Sequence, residues 1–314
     1  MTNSSGSEER ALPDPGLSEI MGERHGLIGL TYRLLGSLTD AEDVVQETYT
    51  RWYALSQRQR DAIESPGGWL TTVASRICLD LLGTARVRRE RYVGEWVPEP
   101  VPAGAQWISG RWGAGGATAD PADQVTLDES IDMAFLVVLD LMTPAERVAF
   151  ILHDVFRYSF AEVAEIVGRT PPACRQLASS ARRRIRASQS AGAPAARRAH
   201  TVRAFKRAWE AKDIDALIGL LAPDVTAVGD GGGLVSAALH PVEGAERVAD
   251  FYAARTDAMR GVELLERTVN GRPGLVARVD GAPVSVLAFD VEGDRIRRIW
   301  AVLNPAKLRP WHTS

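Results

Sequence analysis

The spacing of apolar residues changes twice along the chain, and the changes mark its parts. From Leu17 to about Tyr92 apolar positions recur every three or four residues, the period of helices that bury one stripe. The run TDAEDVVQETYTRWYAL predicts a helix opened by a capping box of Thr39 and Glu42, with Ala41, Val44, Val45, Thr48, Tyr49, Trp52 and Leu55 as its apolar stripe. Its other face carries Asp40, Asp43, Gln46, Glu47 and Arg51. A second long helix is predicted from SPGGWLTTVASRICLDLLGTARVRRERY, with Pro66 near its start and Trp69, Leu70, Val73, Ala74, Ile77 and Leu81 inward. Arg76 adds charge along it, and its end is basic in Arg86, Arg88, Arg89 and Arg91.

The helical period then stops. Pro98, Pro100, Pro102 and several glycines predict a linker over 97–126 rather than a folded element, with Trp107 and Trp112 unexplained inside it. Helices resume from Leu127 to Arg186, with a capping box of Thr143 and Glu146 around Pro144, and a shorter linker is expected over 189–198. From about His200 the texture is α+β. Helices are predicted at Val202–Ala211, Ile214–Leu221 and Ala245–Met259. VTAVGDGGGLVSAAL reads as two strands around a Gly turn, and VELLERTVN, GLVARVD, PVSVLAFD and RIRRIWAVL read as four more. The expected organisation is a disordered stretch over 1–16, a helical domain over 17–96, a second over 127–188, and an α+β cone over 199–314 with a curved antiparallel sheet closed by helices.

The second helical stretch carries the sharpest signal. SFAEVAEIVG predicts a short helix with a Ser159 and Glu162 capping box, apolar Phe160, Val163, Ala164 and Val167, and a stop at Gly168. Thr170 can then cap a longer helix begun by Pro171, in which Cys174, Leu177, Ala178, Ala181 and Ile185 form the stripe. Short helix, tight turn and basic helix make a helix-turn-helix. Arg175, Gln176 and Ser179, near the helix start, suit base edges, and Ser180 shares that polar face. Arg182, Arg183 and Arg186 suit phosphates.

Across 314 residues the net charge is −3, so DNA contact has to come from local patches. Two cysteines, Cys78 and Cys174, fall on apolar stripes, and no CxxC, HExxH or histidine cluster argues for a metal; no cofactor is expected. No apolar signal region or run of eighteen apolar residues occurs, so a cytoplasmic protein without membrane contact is expected.

Taken in order, DAEDVVQETYTRW, GGWLTTVASRICLDLL, RRERYVGEWVPEP, the helix-turn-helix, DGGG and NPAKL resemble an extracytoplasmic-function (ECF) RNA polymerase sigma factor of the SigJ-like group. These are bacterial initiation factors with a fused SnoaL-like domain. The resemblance implies two all-α sigma domains, the second with the helix-turn-helix, followed by an α+β SnoaL-like cone. It implies that core RNA polymerase is met by Asp40, Asp43, Gln46, Glu47, Arg51 and Trp52. Charge pattern alone would leave that face as solvated surface. It further implies that the Trp69–Tyr92 segment, with Arg76, Arg86, Arg88, Arg89 and Arg91, meets the melted minus-ten element, and that the Cys174–Arg186 helix reads the minus-thirty-five element of promoter DNA. One copy per polymerase, a monomer, is expected.

For the cone, the carboxylates and imidazole that could serve as acid or base are Asp224, Asp230, His240 and Asp290, but their places at turns and corners read as turn formers, so no enzyme is expected. DGGG lacks the Lys and Ser/Thr of a phosphate loop. Resemblance implies instead a domain that docks on the sigma domains in cis, through Trp96, Pro98, Glu99 and Pro100, through Asp230, Gly231, Gly232 and Gly233, and through Asn304, Pro305, Lys307 and Leu308. Two departures from the family pattern, Leu234 where a basic residue is common and Ala306 where an acid is usual, remove polar docking partners. The competing reading is a DNA-binding protein, such as a helix-turn-helix repressor, whose SnoaL-like domain is a small-molecule enzyme or ligand sensor. It leaves the first helical domain without a role.

Overall fold

The computed structural model describes residues 23–90, 92–104, 129–188, 193–255 and 261–312, apart from the side chains of 85–90. Among the described residues eight α-helices come first: α1 Arg24–Leu35, α2 Leu38–Ala54, α3 Gln57–Asp61, α4 Pro66–Glu90, α5 Met133–Asp140, α6 Pro144–Phe150, α7 Phe160–Val167 and α8 Pro171–Ser188. They share one apolar core, with Leu30, Leu70 and Phe150 fully buried, so the two predicted helical domains are packed as one body. Polar links cross the same boundary. Tyr158 Oη donates to Thr71 Oγ1 (2.8 Å), Arg147 Nη1 to the Leu34 carbonyl (2.8 Å), and the buried Arg33 Nε to Ser130 Oγ (2.6 Å).

The cap of α2 differs from expectation. Gly36 takes the left-handed conformation that ends α1, which leaves Ser37 extended and able to accept from the Asp40 N–H (3.1 Å). Thr39 therefore lies inside the helix. The predicted boxes Thr143/Glu146 and Ser159/Glu162 are formed, and Gly168 ends α7.

The α+β part comprises α9 Ala195–Ala211, α10 Ile214–Leu220, β1 Leu221–Asp230, β2 Val242–Glu243, α11 Ala245–Arg255, β3 Val262–Val269, β4 Arg272–Val279, β5 Ala282–Glu292 and β6 Arg295–Val302. Helix α9 starts seven residues before the predicted Val202, inside the expected second linker. The sheet order is β2-β1-β6-β5-β4-β3. It is mixed rather than wholly antiparallel, because β1 runs parallel to β6. Residues after Asp230 do not form the second strand that the sequence suggested; they turn back along β1 and only Val242–Glu243 pairs. The β3–β4 and β4–β5 hairpins turn on Asn270-Gly271 and Asp280-Gly281, each residue at positive φ, as a two-residue type I′ turn requires.

One face of the sheet, with Leu275, Leu287, Phe289 and Ile299, packs on Phe205, Trp209 and Tyr252 of the covering helices. The other face is apolar too. Val276, Val286, Ala288, Trp300 and Val302 are buried against Val97, Met133, Leu308 and Trp311. A strand buried on both faces has no polar side, which is why VLAF, Val286–Phe289 of β5, lacks alternation. Among the described residues no helix is long and apolar enough to cross a membrane, and no cluster of metal-ligating side chains occurs.

Phe205 is fully buried and meets Trp209, Tyr252 and Phe289 at centroid distances of 6.0, 5.3 and 5.4 Å. Phe205→Ala is expected to cost about 3–5 kcal/mol, seen as a lower urea midpoint by tryptophan fluorescence; an unchanged midpoint would refute this core assignment.

Candidate nucleic-acid interface and interdomain lock

Helix α8 is amphipathic because its small and apolar residues face α6 and α7. Cys174, Ala178, Ala181 and Ile185 are buried. Thr170 Oγ1 accepts from the Ala173 N–H (3.4 Å), as an N-cap. Arg175, Gln176, Ser179, Arg183 and Arg186 are exposed, with the Arg175 guanidinium 5.2 Å from the centre of the Phe160 ring. Two residues assigned to DNA from the sequence have partners inside the fold. Ser180 Oγ donates to Glu146 Oε1 (2.8 Å), and Arg182 Nε lies 2.8 Å from the buried Asp154 carboxylate. Partial burial would raise the Glu146 pKa, but hydrogen bonds from Thr143 and Ser180 outweigh it and hold the carboxyl below its ordinary value. Both residues fix α8 onto α6 and its continuation. Arg184, which the sequence reading passed over, is exposed beside Glu146 (4.0 Å).

On α2, Asp43, Gln46, Glu47 and Arg51 form an exposed face, Asp40 is half-buried, and Arg51 pairs with Glu47 at 2.8 Å. Trp52 does not belong to that face. It is 3% exposed and packs edge-on against Trp69 (5.2 Å), so it serves the core. On α4, Arg76 is exposed but its Nη2 donates to the Glu165 carbonyl of α7 (2.9 Å). Arg86, Arg88 and Arg89 lie in α4 with their side chains outside the description; Arg91, Trp107 and Trp112 lie outside the described residues.

The three segments for which the resemblance implied docking converge. At the end of β1, Asp230 is fully buried rather than exposed in a loop. Its Oδ2 accepts from Lys307 Nζ (2.7 Å) and from the Val97 N–H (3.0 Å). Its Oδ1 accepts from Tyr92 Oη (2.6 Å) and from the Gly232 N–H (3.1 Å). Lys307, 8% exposed, also donates to the Val97 carbonyl and sits 4.2 Å from the Trp96 ring centre. Asn304 caps the turn carrying Lys307, accepting from the Ala306 N–H (3.1 Å) and donating to Tyr92 Oη (2.9 Å). Glycine is required beside Asp230. A Cβ on Gly231 would sit 2.0 Å from the Val235 carbonyl oxygen, and one on Gly232 2.4 Å from Asn304 Nδ2.

Trp96 to Val101 is therefore an ordered strap, not a loose linker. Val97, Glu99 and Val101 are at most 1% exposed. A Pro-rich run offers few N–H groups, and three of them find partners here: Val97 on Asp230, Glu99 on the Gly36 carbonyl (2.8 Å), Val101 on Asn270 Oδ1 (3.0 Å). Glu99 Oε2 accepts from the Leu38 N–H (2.8 Å) at the start of α2. Burial raises the Glu99 pKa, although the α2 amides, Lys307 and Arg309 oppose the shift.

Sequence reasoning missed five members of this site, one of them Tyr92, which it placed with the minus-ten segment and whose hydroxyl joins Asp230 to Asn304. Asn270, 1% exposed, donates to Tyr32 Oη (2.9 Å) and the Ile131 carbonyl (2.8 Å), and Tyr32 donates to the Glu99 carbonyl (2.7 Å). Trp311 Nε1 donates to the Pro100 carbonyl (2.9 Å), and Arg309 Nη2 to Thr39 Oγ1 (3.0 Å). The tail's run of Trp and Arg just beyond NPAKL was the available signal. Of the acid or base candidates, Asp224 pairs with Arg297 (3.3 Å), His240 is exposed, and burial, with the charge of Asp132, raises the pKa of half-buried Asp290.

Comparison with known proteins identifies the helical part. The model of Sigma-70 region 2 matches residues 21–89 and that of Sigma-70, region 4 matches residues 132–185. The chain is 36% identical to ECF RNA polymerase sigma factor SigJ of Mycobacterium tuberculosis (strain ATCC 25618 / H37Rv) over 305 residues, 93% of this chain and 92% of that one. It is 36% identical to the probable ECF RNA polymerase sigma factor SigI of the same strain over 300 residues, 95% and 96% of the two chains. The crystal structure of the Mycobacterium tuberculosis extracytoplasmic function sigma factor SigJ superposes with a TM-score of 0.71 at 34% identity, covering 94% of this chain and 98% of that chain. With both sigma-70 regions in place and relatives matched over nearly their full length, the chain belongs to the ECF RNA polymerase sigma factors, a family of transcription initiation factors.

Proposed function

We propose that this chain directs core RNA polymerase to promoters in the cytoplasm, one copy per polymerase, and that its C-terminal α+β domain restrains it in cis by holding a closed form. The observation that carries this reading is the buried Lys307–Asp230 pair closed over the Trp96–Val101 strap. Family membership favours it over a repressor with a ligand-sensing domain.

Distance supports the same reading. Elements centred near minus ten and minus thirty-five are separated by roughly 85 Å at about 3.4 Å per base pair. Helix α4, with 25 residues, is the longest element and spans only about 37 Å at 1.5 Å per residue. Two helical bodies sharing one core cannot reach both elements, so α1–α4 and α5–α8 have to part. The residues between Glu90 and Glu129 provide a connector of roughly 130 Å when extended, and it has that full reach only once the strap leaves the sheet. The tail also reaches α2 itself, through Arg309 on Thr39, next to the proposed polymerase face of Asp40, Asp43, Gln46, Glu47 and Arg51.

On the DNA side, Arg175, Gln176 and Ser179 are the proposed base readers, with Arg183 and Arg186 on phosphates. Thr170 holds the helix start, and Ser180 and Arg182 position the helix. Arg76, Arg86, Arg88, Arg89 and Arg91 are proposed to hold the melted strand.

Removing Lys307 leaves Asp230 buried without its cation, a cost of about 3–5 kcal/mol. In transcription with purified core polymerase on the gene's own promoter region, Lys307→Ala is expected to exceed the unaltered chain, as is a chain ending at Val302. Equal or lower activity from both, with the thermal unfolding of the helical part retained, would overturn the restraint in cis. For the DNA face, Arg183→Ala is expected to weaken promoter binding alike for all sequences and to lower the slope of log K against log salt by about 1. An unchanged slope in filter binding would remove Arg183 from the phosphate contacts.

A further inference from the structure

The cone contains a cavity of about 290 Å³ on the face of the sheet opposite the strap. Its walls are aromatic and aliphatic: Trp209, Phe251 and Tyr252 from the helices, Leu287, Ala277 and Ala301 from the strands. Such a volume lies at the small end of ligand clefts, roughly 300–1,000 Å³. Polar groups at the wall are few. Ser236 and Ser285 bring hydroxyls, and Arg255 is stacked on Phe251 (3.4 Å) while donating to that residue's carbonyl (3.3 Å). No Asp, Glu or His lines it among the described residues, so none of these residues offers a carboxylate or imidazole for proton transfer. Val235 and Val284, both lining residues, keep 39% of their surface exposed, so the cavity opens to solvent past apolar side chains.

The wall is continuous with the lock. Gly229 precedes Asp230, Leu303 precedes Asn304, and Val235–Ala238 follow the Gly231–Gly233 turn. The Leu303 N–H donates to the Asp230 carbonyl (2.7 Å), and the Val235 N–H to that of Gly231 (3.1 Å). The cavity thus takes its shape from the same backbone that holds Asp230 against Lys307. A molecule that fits this shape binds the closed form better than the open one, and by linkage stabilises it.

We propose that the cone binds a small, neutral, largely apolar molecule carrying one or two hydrogen-bonding groups, and that its occupancy tightens the Asp230–Lys307 lock. The coupling rests on the restraint in cis proposed above; the binding does not.

The test uses the full chain and 1-naphthol, a neutral bicyclic aromatic with one hydroxyl. Its binding is followed by its own fluorescence, and Ala301→Phe and Ala277→Phe each fill the cavity from a different strand. Saturable binding to the unaltered chain, lost in whichever filled variant keeps the native circular dichroism spectrum, is the expected result. Hydrogen exchange of the Trp96–Val101 peptide is then measured with and without saturating 1-naphthol, and slowing of roughly 5- to 150-fold is expected, the range of coupling between two sites. Failure of 1-naphthol to bind, or equal binding by both filled variants, overturns the cavity as the site. Binding with unchanged or faster exchange overturns the coupling alone. Neither outcome touches the restraint in cis, which is decided by the transcription of Lys307→Ala without any ligand.

Discussion

A sheet that is apolar on both faces cannot be left half covered in water, and this chain covers its second face with its own strap and tail. Burying that layer of Val97, Val276, Val286, Trp300, Val302 and Trp311 gives a favourable term of about 25 cal/mol per Å² removed from water. The buried ion pair is weaker evidence for stability, since taking Asp230 and Lys307 out of water offsets much of their attraction. What the pair adds is register. Asp230 accepts from four donors on three separate segments, and only one placement of strap, turn and tail satisfies them. The tether raises the effective concentration of the docked part to the order of mM, so a modest interface holds it closed.

The polar links extend that docking into the helical body. Asn270 sits in a hairpin turn of the sheet, where its positive φ suits the type I′ turn, and its amide is used at both ends: the oxygen by the Val101 N–H, the nitrogen by Tyr32 and the Ile131 carbonyl. Tyr32 passes the contact to Glu99, and Glu99 caps the start of α2 beside Ser37. A carboxylate at a helix N-terminus is favourable electrostatically, yet its burial raises the Glu99 pKa. The first turn of α2, next to the proposed polymerase face, is thereby finished by a residue of the strap.

Local chemistry was legible in the sequence and long-range pairing was not. Capping boxes at Thr143 and Ser159, the Gly168 stop, the α8 stripe and the Asn-Gly and Asp-Gly hairpins all depend on neighbours within four residues, and they form as read. Thr39 and Glu42 had the right residues and the wrong place, because Gly36 ends α1 so abruptly that Ser37 reaches the cap first. The strap read as a linker because Pro and Gly content reports what a segment cannot do locally; its donors bond to Gly36, Asp230 and Asn270, the last two more than a hundred residues away. Asp230 looked like a turn former and is one, through Gly232, while its other oxygen enters the lock. Ser180 and Arg182 were assigned outward on a helix whose polar arc is wider than its exposed one, since Glu146 and Asp154 claim its edges. The unbroken apolar run VLAF, Val286–Phe289, was the one sequence signal that the sheet needed cover on both sides.

The docked α+β domain leaves the polar face of α8 exposed. Arg175, Gln176, Ser179, Arg183 and Arg186 remain exposed while the lock is shut, so the α+β domain does not mask the proposed minus-thirty-five reader. What closure fixes is the relation between the two helical bodies, through the shared core, Arg76 on the Glu165 carbonyl and Tyr158 on Thr71, together with the strap and the start of α2. On the proposed reading, restraint then acts on spacing and on polymerase access rather than on base recognition. On that same reading a closed molecule keeps the electrostatic, salt-sensitive attraction of α8 for DNA, while promoter opening, proposed to need both bodies at once, waits for the strap to leave the sheet.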